Sequence, residues 1–184
     1  MADKIRNTAL VKKCEKIDDR IYSIWLEDKE IAVNAKPGQF INVYCNDGTK
    51  ILPRPISICE IDKEAGLLRI VFRIAGEGTK EIATLDSGDS VQIMGPLGNG
   101  FTKEGKKAIL IGGGIGIPPM LQLAKELDCE KTIVLGYRDS LFLKEEFESL
   151  GDVYVSTEDG SAGTKGNVID AIKENGITGD VIFA

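Results

Sequence analysis

The sequence predicts two fold classes in series: an antiparallel β-barrel or sandwich over residues 1–100, then a parallel sheet covered by helices over residues 101–184. Two observations predict this. Up to about residue 100 the apolar segments are short, several alternate with period two, and turn residues separate them. Beyond it, apolar runs alternate with helical patterns, the signature of strand–helix–strand units.

In the first half, strands are read at Tyr22–Leu26, Gln39–Tyr44, Ile56–Cys59, Leu67–Ile74 and Ser90–Met94. Pro37-Gly38, Asn46-Asp47-Gly48 and Ser87-Gly88-Asp89 mark turns. One helix is expected from Thr79 to Leu85, with Thr79 as its cap and Glu81 in its first turn. Residues 95–105, starting Gly95-Pro96-Leu97-Gly98-Asn99-Gly100, read as a glycine-rich connector. In the second half, strands are expected at Lys107–Ile111, Thr132–Gly136, Asp152–Ser156 and Asp180–Ala184. Helices are expected over Pro118–Leu127, Leu141–Leu150 and Asn167–Lys173. The chain ends in or just after a strand, which reads as a missing C-terminal portion, because a parallel strand normally leads into a connection.

Composition narrows the chemistry. The 184 residues contain no histidine, so Ser-His-Asp and Cys-His catalytic devices are excluded. A catalytic zinc site, which nearly always uses His, is not expected. Cys14, Cys45, Cys59 and Cys129 form no C-x-x-C pair, so the chain has no metal site to read, neither a zinc ribbon nor a cysteine-held cluster. They read as reduced, mostly structural thiols. The net charge is −6, and residues 101–184 hold nine basic against fourteen acidic residues, which argues against nucleic acid as a partner. Met1-Ala2-Asp3-Lys4 starts no apolar targeting segment, and no run is long enough to span a bilayer. The expected place is the cytoplasm, with no membrane partner, and any chemistry would come from a bound cofactor.

Three motifs could bind such a cofactor. In Arg54-Pro55-Ile56-Ser57 the proline extends Arg54, whose fork suits a phosphate, while Ser57 can hydrogen-bond a heterocycle nitrogen. The plainer reading is a surface arginine beside an edge-strand proline. In Gly76-Glu77-Gly78-Thr79-Lys80 two glycines precede a helix start, whose N–H groups attract phosphate. The plainer reading is a turn with a Thr cap. In Gly112-Gly113-Gly114-Ile115-Gly116-Ile117-Pro118-Pro119-Met120 a strand passes through a bare turn into a helix opened by prolines. This is not G-x-G-x-x-G, since position 117 is Ile, and such a turn can be purely structural. Gly136-Tyr137-Arg138 and Glu158-Asp159-Gly160-Ser161 follow strands, where open α/β sheets bind ligands.

Taken in this order, the motifs resemble the ferredoxin–NAD(P)H reductase superfamily along the whole chain. Leu52-Pro53-Arg54-Pro55-Ile56-Ser57-Ile58, Val71-Phe72-Arg73-Ile74-Ala75-Gly76-Glu77-Gly78-Thr79 and Gly95-Pro96-Leu97-Gly98-Asn99-Gly100-Phe101 are similar to the electron-transfer subunit of type B dihydroorotate dehydrogenase. The resemblance implies an N-terminal Greek-key β-barrel for FAD, residues 1–100, and a Rossmann-like NAD(P)-binding domain, residues 101–184. It implies that Arg54 contacts the FAD phosphates and that Ser57, with Pro55 and Ile56 beside it, lies near flavin N5 as the residue closest to the chemistry. Position 56, often Tyr in the superfamily, is Ile here, so stacking from it is lost. Val71, Phe72 and Arg73 would line the flavin and its chain. Gly78 and Thr79 would bind the pyrophosphate. Gly113, Gly114, Ile115 and Gly116 would form the nicotinamide-nucleotide turn, with Tyr137, Arg138 and Asp159 near the adenosine end.

The implied activity passes a hydride from NADH to FAD and then electrons to a dihydroorotate dehydrogenase catalytic subunit in pyrimidine biosynthesis, within a hetero-oligomer. NADH is favoured over NADPH, since Arg138 is countered by Asp139. The longer relatives continue into a Cys-Gly-Pro segment and a cysteine cluster for [2Fe–2S]; this chain has neither and is expected to hold FAD and NAD(H) but no cluster. Two alternatives stand: another ferredoxin–NADP reductase-like or hydrogenase-linked subunit, or a non-catalytic flavin-binding assembly module.

Overall fold

The computed structural model describes residues 5–46, 50–138 and 140–184. The expected turn at Asn46-Asp47-Gly48 and the Asp139 set against Arg138 therefore fall partly or wholly outside the described residues. The chain divides into two compact units, Met1–Gly100 and Phe101–Ala184.

The first unit contains β1 (Ile5–Asp18), β2 (Ile21–Glu27), α1 (Lys29–Asn34), β3 (Phe40–Val43), β4 (Arg54–Asp62), β5 (Leu67–Arg73), α2 (Glu77–Ile82) and β6 (Ser90–Leu97). Its strands close into a barrel in the order β1-β2-β5-β4-β3-β6, all pairs antiparallel. The period-two pattern explains the closure. Val11, Ile24, Leu26, Ile41, Val43, Ile58, Leu68, Ile70 and Ile93 point inward and share one buried core. The intervening residues face outward, and there a polar group is buried too. Arg69 Nε donates to Ser23 Oγ at 2.8 Å and its Nη1 to Glu60 Oε2 at 2.6 Å. Both pairings are needed to keep a largely buried cation from costing stability.

Four details differ from the sequence reading, the first being β1, fourteen residues that were not read as a strand because charged and polar residues interrupt their alternation. Helix α1 was not expected, because six residues are too short for a helical period to register. It is held by Asp28, whose side chain accepts the Ile31 N–H at 2.9 Å, and by Ile31 and Ala32, which join the barrel core. Strand β6 runs on to Leu97, so Gly95-Pro96-Leu97 belongs to the sheet and not to a connector. Leu97 still pairs with Phe40, and a side chain at Gly95 would meet Ile41 at 2.6 Å. Helix α2 begins at Glu77 and ends at Ile82, earlier than the expected Thr79–Leu85.

The second unit contains β7 (Lys107–Gly113), a 3-10 turn (Gly114–Gly116), α3 (Pro118–Glu126), β8 (Glu130–Tyr137), α4 (Lys144–Glu148), β9 (Asp152–Thr157), β10 (Thr164–Lys165), α5 (Val168–Glu174) and β11 (Val181–Phe183). Its five strands are parallel, in the order β10-β9-β8-β7-β11. Near-continuous apolar runs such as Ile133-Val134-Leu135, all fully buried, are what a sheet covered on both faces demands. Helix α4 is shorter than the expected Leu141–Leu150, because Leu143 stands at φ 61° in the left-handed region and blocks helix before it. Helix α5 is capped by Asn167, whose side chain accepts the Ile169 N–H at 2.8 Å.

Asp180 ties β11 to β7. Its carboxylate accepts the Lys106 N–H at 3.0 Å and the Lys107 N–H at 3.0 Å, and these bonds hold it below the usual carboxylate range. A group whose folded value is depressed stabilises the fold above its unfolded value and loses that contribution as pH falls through the folded one. Asp180→Ala is therefore expected to lower the melting temperature at neutral pH. The gap to wild type should close in acid, once the wild-type carboxyl is itself protonated. Thermal melts across the acid range check this; a gap independent of pH would contradict it.

Candidate functional site

Two groups of expected residues come together on the first unit. At the barrel rim, Arg54 starts β4 and reaches the first turn of α2. Gly78 is buried there, and a Cβ on it would lie 2.1 Å from Arg54 Nε and 2.3 Å from Arg54 Cζ. The guanidinium thus lies flat against bare backbone in the place of a side chain. The guanidinium Nη1 donates to the Leu52 carbonyl. At the helix start beside it the N–H groups of Glu77, Gly78 and Thr79 have no partner inside the helix. Cation and free donors converge, as an anionic phosphate chain would require.

The cap is built differently from expectation. Gly76 is the cap residue and Thr79 the third helical residue, so Glu77, not Glu81, is the acid of the first turn. The Thr79 hydroxyl accepts the Ala75 N–H at 2.9 Å and the Gly76 N–H at 3.1 Å, and donates to the Gly76 carbonyl. It fixes the turn and is not free for a ligand. Glu81, which the sequence reading placed as a mere helix acid, clamps the preceding loop. Its carboxylate accepts the Asn46 N–H at 2.7 Å and Lys50 Nζ at 2.7 Å. Burial and this carboxylate push the Cys45 thiol up, so it stays neutral and faces the Gly78 carbonyl at 3.7 Å.

The second group lies on the outer wall. One step beyond the Ile58–Ile70 pair, Ser57 on β4 and Val71 on β5 share the face turned away from the barrel core, with Pro55 and Arg73 at the next positions; Pro55 and Arg73 are exposed, Ser57 is half-buried and Val71 is buried. Ile56 and Phe72 point the other way, into the barrel core, where Phe72 stacks on Tyr22 with centroids 6.3 Å apart. Their side chains shape the wall from within and do not present a surface to a ligand.

In the second unit the expected residues cluster at the carboxyl ends of β7, β8 and β9. Gly112 is closed in, since a Cβ there would meet Ile117 Cα at 2.8 Å, whereas Gly113 and Gly116 have nothing within 4 Å. Ile115 is exposed at the crest of the turn. Arg138 and Asp159 are exposed at the ends of the neighbouring strands, which the Glu158 N–H joins by donating to the Tyr137 carbonyl. The Ser161 N–H, 2.9 Å away, holds the Asp159 carboxyl below the usual carboxylate range. Tyr137 departs from expectation: it is buried, its ring sits edge-on against Phe142, and its hydroxyl donates to the Phe142 carbonyl at 2.9 Å. It anchors the following loop from below.

Among the described residues, no cluster of His, Cys, Asp or Glu could hold a metal ion, and no helix is long and apolar enough to cross a membrane.

Residues 9–101 match the oxidoreductase FAD-binding domain family. The chain is 46% identical over 158 residues to the dihydroorotate dehydrogenase B (NAD(+)) electron transfer subunit of Fusobacterium nucleatum, covering 80% of this chain and 61% of that protein. It is 38% identical over 189 residues to the subunit of the same name from Bacillus cereus, covering 97% of this chain and 73% of the relative. Among solved structures, a chain of the NADH-dependent reduced ferredoxin-NADP oxidoreductase superposes with a TM-score of 0.83 at 31% identity, over 90% of this chain and 62% of that one. The chain thus spans less than two thirds of the length of the first of these relatives.

The Arg54–Gly78 packing generates a prediction. The guanidinium is the far end of a flexible side chain, so Gly78→Ala should displace it at little cost. Melting should stay within about 1 kcal/mol of wild type, because Ala also favours helix. FAD affinity should nevertheless fall about tenfold or more, read by flavin fluorescence. Unchanged affinity would show that the guanidinium position is immaterial.

Proposed function

Because the chain belongs to the oxidoreductase FAD-binding domain family, we propose that it is a flavoprotein electron-transfer subunit that takes electrons from NADH and passes them to a dihydroorotate dehydrogenase catalytic subunit. The observation that carries this reading is the rim of the barrel, where the Arg54 guanidinium packs against the first turn of α2 in the space a side chain at Gly78 would take. Likeness to the dihydroorotate dehydrogenase B subunits supplies the substrate class and the partner. The cytoplasm is the proposed compartment.

When bound, FAD supplies the hydride-accepting and one-electron chemistry that the protein side chains lack. The chain's own residues do the rest. Arg54 binds the phosphates with its fork, and the N–H groups of Gly78 and Thr79 take further phosphate oxygens. Ser57 offers a hydroxyl on the outer wall that hydrogen-bonds the flavin ring near N5, and Val71 and Arg73 continue that wall. Pro55 keeps β4 extended at this edge. In the second unit, Gly113, Gly114, Ile115 and Gly116 receive the nicotinamide dinucleotide, and Arg138 and Asp159 flank its adenosine end. Glu158 and Asp159 put negative charge where a 2′-phosphate would lie, which favours NADH over NADPH. The four cysteines, Cys14, Cys45, Cys59 and Cys129, are dispersed along the chain and include no C-x-x-C pair.

A second reading, a reductase subunit serving another acceptor, is favoured by the superposition on the ferredoxin-NADP oxidoreductase chain. One series of measurements separates the readings. The purified chain is expected to be yellow, and Arg54→Ala to lose at least about tenfold in FAD affinity. Anaerobic NADH should bleach the flavin, and NADPH should do so less well. A dihydroorotate dehydrogenase catalytic subunit should then couple NADH oxidation to orotate reduction. Bleaching without that coupling favours the other reductase, and a folded, colourless chain that ignores FAD rejects both.

A further inference from the structure

Two apolar side chains project from the barrel unit into solvent. Ile51 and Leu52, just ahead of β4, are 84% and 76% exposed, more than any other large apolar residue described. A lone exposed apolar residue is ordinary, but neighbours in sequence form a patch, and a patch marks a contact surface. The backbone on either side of the pair is tied down. Glu81 accepts the Asn46 N–H and Lys50 Nζ, both at 2.7 Å, and the Leu52 carbonyl accepts the Arg54 guanidinium. Chain order shows what the patch adjoins. Strand β4 runs extended from Arg54 to Ser57, three residues on and ~10 Å away along the strand. Arg54 is the phosphate residue and Ser57 the flavin-ring residue of the proposed function, and that spacing suits a five-carbon ribityl chain. Read backwards from Ser57, the chain therefore presents a ring contact, a phosphate contact and then an apolar pair. FAD carries its parts in the same order: isoalloxazine, ribityl chain, pyrophosphate, adenosine.

We propose that Ile51 and Leu52 receive the adenine of FAD and thereby set a preference for FAD over FMN, which ends at its phosphate. The inference rests on the proposed reading of Arg54 and Ser57 as flavin-nucleotide contacts. An adenine face is flat and carries its polar atoms at the rim, so branched aliphatic side chains cover it and both partners lose apolar surface to water. Neither side chain has a group to offer a phosphate, so the pair does not simply extend the Arg54 site. Because the segment is already tied to Glu81 and Arg54, little ordering cost is left to binding.

FAD and FMN are titrated by flavin fluorescence into the whole chain and into Ile51→Ser/Leu52→Ser. Both positions are exposed, so the variant is expected to melt as wild type does. Wild type is expected to bind FAD more tightly than FMN. The variant should lose about tenfold in FAD affinity and nothing for FMN, and Leu52→Met alone should keep the wild-type FAD affinity. Equal losses for FAD and FMN, or an unchanged FAD affinity, overturn the proposal and leave the reading of Arg54 and Ser57 standing, as does wild type that binds FMN as tightly as FAD. A variant that binds FAD normally but no longer couples to a dihydroorotate dehydrogenase catalytic subunit also overturns it and gives the patch to a protein partner. A wild-type chain that binds neither flavin nucleotide rejects the underlying reading as well.

Discussion

The Arg54 guanidinium stands where a side chain at position 78 would have to be, and the rest of the barrel rim is arranged around that exchange. It brings the start of β4 against the first turn of α2, two segments separated by the whole of β5. A cation held this way stays aimed at the helix start without being consumed by a carboxylate. The carboxylate available nearby, Glu81, is occupied on the loop side by the Asn46 N–H and Lys50. Opposite charges are thus sorted into separate tasks within one turn of helix: Glu81 holds the loop, and Arg54 is left for an anion.

The barrel rim and the strand ends of the second unit are built by opposite means. The rim of the first is made of side chains with assigned partners, and its strongest feature is a charged fork. The strand ends of the second are nearly bare: glycines at 113, 114 and 116, a glycine at 136, and one buried hydroxyl at Ser156. A resident cofactor calls for the first kind of surface and a visiting one for the second. The difference in construction follows from residue type alone.

Much of this was legible in the sequence, and the failures have physical causes. Period-two alternation located five of the six barrel strands, since each faces a core on one side only, and missed β1. Continuous apolar runs located the parallel strands, which are covered on both faces. Boundaries failed where a local backbone event overrode the pattern. Leu143 in the left-handed region delayed α4, and the Leu97–Phe40 pairing carried β6 past a proline. Motif residues that alternate along a strand divide between its two faces. Ile56 and Phe72 lie at the expected positions but face inward, as strand alternation from Ile58 and Ile70 already required. Tyr137 looked like a ligand contact because it ends a strand, but a phenol that finds a carbonyl five residues on has no reason to face solvent. Glu81 left no signal, because its partners are fixed by a loop that sequence spacing cannot place.

Closure of the first sheet has a consequence for assembly. A closed barrel leaves no row of unpaired backbone groups, so the flavin-binding unit has no edge onto which another chain could add a strand. Among the described residues the second sheet is bounded by β10 with two residues and β11 with three. Contact with a partner through the barrel wall falls to side chains, loops and helix ends rather than to strand pairing.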